Sequence, residues 1–180
     1  MRRATTSAAG SRGWGSGLPA ALLGGILIVA SGCGRPPALE WGLESPRAVA
    51  EAVVAALEAR DARTLHRLSV SEQEFRELVW PRQPAARPER NIPWGYAWRS
   101  LAARSRHQLA GRLNEWAPGQ RFTVVGVTFD GETTDYGAYR VHRRSVVTLQ
   151  NGAGRRETLR VFGSMIEQGG RYRVFSYVVE

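Results

Sequence analysis

The apolar residues of this chain change their period once, at Pro118-Gly119, and that switch limits the folds open to it. Upstream they recur three or four apart, as on one face of a helix; downstream they alternate, as on strands. Ser45-Pro46 opens a first helix, Ser45 capping free N–H groups and Pro46 standing where a missing N–H costs nothing. Val49, Val53 and Leu57 form its buried stripe. Asp61 interrupts it and caps a second short helix carrying Leu65 and Leu68. Ser71-x-x-Glu74 is a capping box for a third, whose apolar face is Phe75, Leu78 and Val79 and which stops at Trp80-Pro81. Residues 81–93 hold four prolines and four charged residues and read as a loop, a long one for a compact domain. The spacing of Trp98, Leu101, Ser105, Leu109, Leu113 and Trp116 predicts a longer helix over residues 96–116. Residues 121–129, 138–149, 156–167 and 171–179 are then β-rich and separated by GETTDYG, NGAG and QGG, turns short enough to make neighbours antiparallel. The expectation is an α+β fold, with N-terminal helices packed on a four-stranded antiparallel sheet.

The first 17 residues carry Arg2, Arg3 and Arg12 and no acid, and residues 18–30 are an apolar run of signal-peptide length. As a helix it would span about 20 Å, short of a bilayer core of about 30 Å. Ala30, Ser31, Gly32 and Cys33 follow, small residues leading into a cysteine, and this resembles the lipobox of bacterial lipoproteins, with Ala30 where the family usually has Leu. The resemblance implies cleavage after Gly32, a diacylglyceryl thioether on Cys33 and further acylation, by palmitate or a similar chain, of the freed amino group. Two or three acyl chains anchor a protein stably where one is marginal. Gly34, where Asp commonly marks inner-membrane retention in Gram-negative lipoproteins, favours the periplasmic side of the outer membrane. The competing reading is a secretory signal followed by an incidental cysteine. The chain then divides into a signal at 1–32, a lipidated cysteine and Pro36-Pro37 tether at 33–43, and one α+β domain at 44–180.

Cys33 is the single cysteine, which excludes an internal disulfide and a Cys-rich zinc site. All 25 basic residues are Arg, so the positive charge is permanent. The net charge of +9 falls by three, to +6, when Arg2, Arg3 and Arg12 leave with the signal. The remaining Arg residues are interleaved with acids, which suits a mixed solvated surface, and export disfavours nucleic acid as a partner.

The order of helices before strands, with Ala59-Arg60-Asp61 between the first two helices, resembles the nuclear-transport-factor-2-like superfamily. The resemblance implies a curved sheet, a cone-like α+β domain and a pocket that some members use for isomerisation, dehydration or hydrolysis and others for binding or dimerisation alone. The helix and proline-rich segment between Ser71 and Pro93 departs from that pattern.

Isomerase-like members need a carboxylate base inside the cone. The apolar face of the second strand runs Tyr139, Val141, Arg143, Ser145, Val147 and Leu149, without an acid. Asp130 stands before Gly131, where a turn cap is the plainer role, and His107 lies in mid-helix without a nucleophile motif; both are weak catalytic candidates. Arg143 on an apolar face requires a partner, either an anionic ligand or a helix acid, unless a bulge turns it outward. Trp94, Tyr96 and Trp98, with Trp80, flank the proline-rich segment and form either a stacking wall, accompanied by Asn91 and Arg99, or a seal on the core. His66, His107 and His142 are not at ligand spacing, so no metal or cofactor is implied. The leading reading is a non-catalytic envelope lipoprotein that binds a small ligand or a protein partner. The alternatives are an isomerase- or dehydratase-type pocket enzyme and an assembly protein, including a homodimer, that docks through a sheet face.

Overall fold

A computed structural model describes residues 37–179, so the expected signal segment and lipidated Cys33 lie outside the described residues. The helices are α1 (Pro46–Glu58), α2 (Ala62–Leu68), α3 (Glu72–Glu74) and α4 (Trp94–Glu115). The caps expected from sequence all form. Ser45 Oγ accepts the Ala48 N–H at 3.1 Å, Asp61 Oδ1 accepts the Thr64 N–H at 3.0 Å, and the Ser71/Glu74 box closes in both directions. Past Glu74 the helix widens to a π turn over Phe75–Val79, where the Trp80 N–H reaches back to the Phe75 carbonyl. Arg82 Nη1 donates to the freed Leu78 carbonyl at 3.0 Å. Among the described residues no helix is long and apolar enough to cross a membrane.

The proline-rich segment is not an irregular loop. It folds as three consecutive 3₁₀ turns, Trp80–Arg82, Pro84–Ala86 and Pro88–Arg90, each with a proline in its first two positions. Pro81, Pro84 and Pro88 supply the fixed φ that starts each turn and withhold the N–H that would extend the helix. Asn91, at φ 47°, ends the series in the left-handed region.

The strands differ from expectation in a way that shapes the domain. There are seven, β1 (Phe122–Phe129), β2 (Thr133–Asp135), β3 (Arg140–His142), β4 (Ser145–Asn151), β5 (Arg156–Leu159), β6 (Ser164–Gln168) and β7 (Arg171–Ser176). They form two antiparallel sheets, ordered β1-β4-β5 and β2-β3-β6-β7, rather than one sheet of four. The predicted strand 138–149 breaks at Arg143-Arg144, where Arg144 takes φ 55°, and its halves pair in different sheets. The predicted strand 156–167 divides the same way around Gly163. Gly163 holds the crossing together: its carbonyl accepts the Ser145 N–H at 2.8 Å and its N–H donates to Ser176 O at 3.0 Å. The chain returning past Ser176 runs so close that a Cβ on Gly163 would stand 1.7 Å from the Val178 carbonyl oxygen. Only glycine fits there.

Two apolar clusters result. One gathers Val49, Val53 and Leu57 of α1 and Leu65 of α2 with Val147, Leu149, Met165 and Val174. The other sets Phe75, Leu78 and Val79 against Val141, Ile166 and Tyr139. The four-stranded sheet contributes one face to each. α4, about 33 Å long for its 22 residues, reaches both, with Trp98 and Leu101 in the second cluster and Leu109 and Trp116 in the first.

Where the segment preceding α1 (residues 37–43), the helices and the four-stranded sheet meet lies a buried ion pair. Arg173 of β7 and Glu74 of α3 are 3% and 2% exposed, and Arg173 Nη1 donates to Glu74 Oε1 at 2.5 Å. Arg173 Nη2 donates to the carbonyls of Arg67 and Ser69, closing the end of α2. Glu74 Oε1 accepts the Glu40 N–H at 2.9 Å, and Trp41 lies 4.5 Å from the guanidinium carbon, ring face toward it.

Two substitutions test this framework by urea denaturation. Gly163→Ala is expected to lose several kcal/mol, because backbone must move to admit the methyl group. Arg173→Ala is expected to lose about 3–5 kcal/mol, because Glu74 is left buried and unpaired, and Glu74→Gln with Arg173→Met together should lose less than the two single changes summed.

Candidate functional site

The bend between β3 and β4 positions Arg143. Its carbonyl accepts the Gly131 N–H at 3.3 Å, and a Cβ on Gly131 would lie 2.8 Å from Arg143 Cβ, so that glycine lets the β1–β2 turn close against the bend. Arg143 is half-buried, and among the described residues its side chain has no hydrogen-bond or ion-pair partner. It lines a cavity of about 90 Å³ together with Arg104 of α4, Gln83, Tyr136, Ser164 and Ser176, over an apolar floor of Leu101, Val141 and Phe175. Neither a carboxylate nor an imidazole lines this cavity. A second cavity, of about 220 Å³, shares Leu101 and Phe175 with the first and adds His66, Ser69, Trp98 and Ser105, again without a carboxylate.

Two guanidiniums that stay charged at any physiological pH, together with an amide and hydroxyls, can receive a carboxylate- or phosphate-sized group. The first cavity has room for about three waters at roughly 30 Å³ each, which is enough for such a group though not for a whole drug-sized ligand. Arg104 makes one long contact, Nε to the Ser100 carbonyl of its own helix at 3.4 Å.

The aromatic residues singled out in the sequence do not form one wall. Trp80 and Trp98 both pack on Phe75, with ring centres 6.0 and 5.3 Å away, inside the second cluster. Trp94 carries Arg76 at 5.7 Å over its ring, and Tyr96 is 63% exposed. Residues two apart on a helix point in nearly opposite directions, so Tyr96 cannot share the face of Trp94 and Trp98. Trp98 alone of the group lines one of the two cavities. Asn91 closes the last 3₁₀ turn and Arg99 is exposed.

Asp130 and His107 are not brought to Arg143. Asp130 is exposed, meets Arg160 at 3.2 Å, and lines neither cavity. His107 is exposed on α4 and likewise lines neither. His142 is held between Thr133 Oγ1, 3.0 Å from Nδ1, and Glu167 Oε2, 2.8 Å from Nε2, and it stacks on Phe129 at 4.8 Å. These are cross-strand neighbours, Thr133 opposite His142 and Arg140 opposite Glu167, so the chain of contacts ties β2, β3 and β6. Among the described residues no three His, Cys, Asp or Glu side chains are grouped to hold a metal ion.

No family model, curated protein or solved structure matches the chain. The site is therefore read from its own geometry. Gln83, Arg104, Ser164 and Ser176 were not singled out in the sequence. Gly163, also not singled out, stands inside a β-rich run, a position that favours a bulge or close approach, but which side chains the crossing faces depends on the partner strands.

Tyr139 links the cavity region to the helix above it. Its hydroxyl donates to the Val79 carbonyl at 3.1 Å and accepts from Gln83 Nε2 at 2.7 Å. Burial pushes this phenol up from 10.0 to about 12, and burial raises Tyr177 as well. A folded-state value above the unfolded one means that the folded chain keeps a proton the unfolded chain gives up. The stability is thus present below pH 10 and lost as pH rises toward 12. Urea midpoints measured across this range should fall, and Tyr139→Phe should fall less steeply.

Proposed function

We propose that this chain is an exported envelope lipoprotein, held to the membrane through lipid on Cys33, whose cone-like domain binds a ligand bearing an anionic group without chemically altering it. The observation that carries the binding reading is the unpaired Arg143 in a cavity that also presents Arg104, Gln83, Ser164 and Ser176 and no acid or imidazole. A half-buried guanidinium without a counter-ion is costly, and an anionic ligand would remove that cost. The same lining argues against a proton-abstracting enzyme, because general-base chemistry needs a base within hydrogen-bond reach of its substrate.

The anchor reading rests on the small residues leading into Cys33 behind an apolar run of signal length. The cone-like reading rests on the order of helices before strands and on Ala59-Arg60-Asp61, which resemble the nuclear-transport-factor-2-like superfamily, and strands bent at Arg144 and Gly163 are compatible with it. The ligand is a small molecule or the acidic end of an envelope protein. Among the described residues the exposed large hydrophobics are Ile92 and Tyr96, a small basis for docking through an apolar face.

The anchor is tested by intact mass and fractionation of the full-length protein beside Cys33→Ala. Acylation of Cys33 and loss of membrane association in the variant are expected; a soluble, unacylated wild type refutes the anchor. For the site, a panel of fatty acids and phosphate monoesters is titrated by calorimetry. Binding that weakens at least tenfold in Arg143→Gln, with an unchanged urea midpoint, is expected, and equal affinity in wild type and variant refutes the assignment.

A further inference from the structure

The segment leading from Cys33 into the domain was expected to be a short extended tether over residues 34–43. From Pro37 onward it is instead bound along the β6–β7 hairpin. The Leu39 N–H donates to Gln168 Oε1 at 2.7 Å, and Gln168 Nε2 donates to the Pro37 carbonyl at 3.2 Å. Leu43 and Tyr172 exchange a pair of backbone hydrogen bonds at 2.9 and 2.7 Å, and Arg171 Nη1 donates to the Gly42 carbonyl at 3.3 Å. A Cβ on Gly42 would lie 2.8 Å from Arg171 Cβ, so strap and hairpin are in close backbone contact. Glu40 and Trp41 are held by the Glu74–Arg173 pair. The strap belongs to the domain.

Only Gly34, Arg35 and Pro36 then separate Pro37 from Cys33. Four fully extended steps cover at most about 14 Å. A domain of this size is about 35–40 Å across. That maximum reach is shorter than half the diameter, and an acylated cysteine is fixed at the headgroup level. We propose that the end of the domain carrying Pro37 and the β6–β7 turn faces the bilayer, and that phospholipid headgroups are the surface it meets. This rests on the lipid anchor proposed above. The charges at that end nearly balance, Arg140 beside Asp135 at 3.2 Å and Arg171 beside Glu44 at 3.8 Å. Tether length rather than electrostatic attraction therefore sets the orientation, and anionic lipid is not required for it.

The test uses the full-length acylated protein in phosphatidylcholine vesicles, with and without phosphatidylglycerol, and an energy-transfer acceptor on the headgroups. A donor dye is placed on Asp135→Cys, beside the β6–β7 turn and out of contact with the strap, or on Ala153→Cys, in the β4–β5 turn. Arg140 pairs with Glu167 at the first of these ends, and the bent strand that begins there runs to Asn151 at the other. Transfer several-fold stronger from position 135 than from position 153 is expected in both lipid mixtures. A long Gly/Ser insertion between Gly34 and Arg35 should remove the difference. Intact mass of the same samples reports acylation of Cys33. Equal transfer from the two positions in acylated protein overturns the orientation and leaves the anchor standing. An unacylated chain overturns the anchor, and the orientation with it.

Discussion

The Arg173–Glu74 pair is the interaction on which the most separate parts of this domain converge. An isolated charge so fully removed from water would be very costly, and burial alone pulls the Arg173 guanidinium below its ordinary range. The cost is offset because each partner makes several hydrogen bonds, although Arg173 Nε is buried without one. Glu74 closes a capping box on Ser71, receives the Glu40 N–H and faces Arg173; Arg173 in turn closes the carbonyls at the end of α2 and lies against Trp41. Strap, α2, α3 and β7 are thus fixed to one another by two side chains, where apolar packing alone would leave their register free to slide. Removing either partner would leave the other buried and uncompensated, so the four segments depend on both side chains together.

A second constraint acts at the crossing of the two sheets. Gly163 allows three backbones to meet, and Arg144 turns the neighbouring strand by taking a left-handed conformation. The bends carry Arg143, Ser164 and Ser176 toward α4, where Leu101 and Arg104 complete a cavity. Its polar groups come from four distant parts of the chain, and its charge is all of one sign. In a domain with acids and arginines otherwise interleaved, that local excess separates the site from the surrounding surface.

What could be read from the sequence was local. Ser45, Asp61 and the Ser71/Glu74 box were recognisable as caps because a cap is satisfied within three residues of itself. The period switch at Pro118-Gly119 separated helices from strands because an amphipathic pattern records which side of an element is covered. Prolines at 81, 84 and 88 marked where α-helix could not continue, yet their spacing of three and then four residues was not read as consecutive 3₁₀ turns. Arg143 was recognisable as anomalous because a charge stood on an apolar face.

The tertiary structure decided everything that depends on sequence-distant partners. The alternating runs 138–149 and 156–167 look continuous, and only the folded chain shows them divided between two sheets, one at Arg143-Arg144 and the other at Gly163, where residues 176–178 pass close. Arg173 reads as one more surface arginine until Glu74, ninety-nine positions away, is set beside it. The strap reads as a linker until Gln168 binds it. Periodicity states that a face is covered without stating by what, so the sequence determined the elements and their caps, while strand pairing, the cavity and the binding of residues 37–43 along the β6–β7 hairpin required the folded chain.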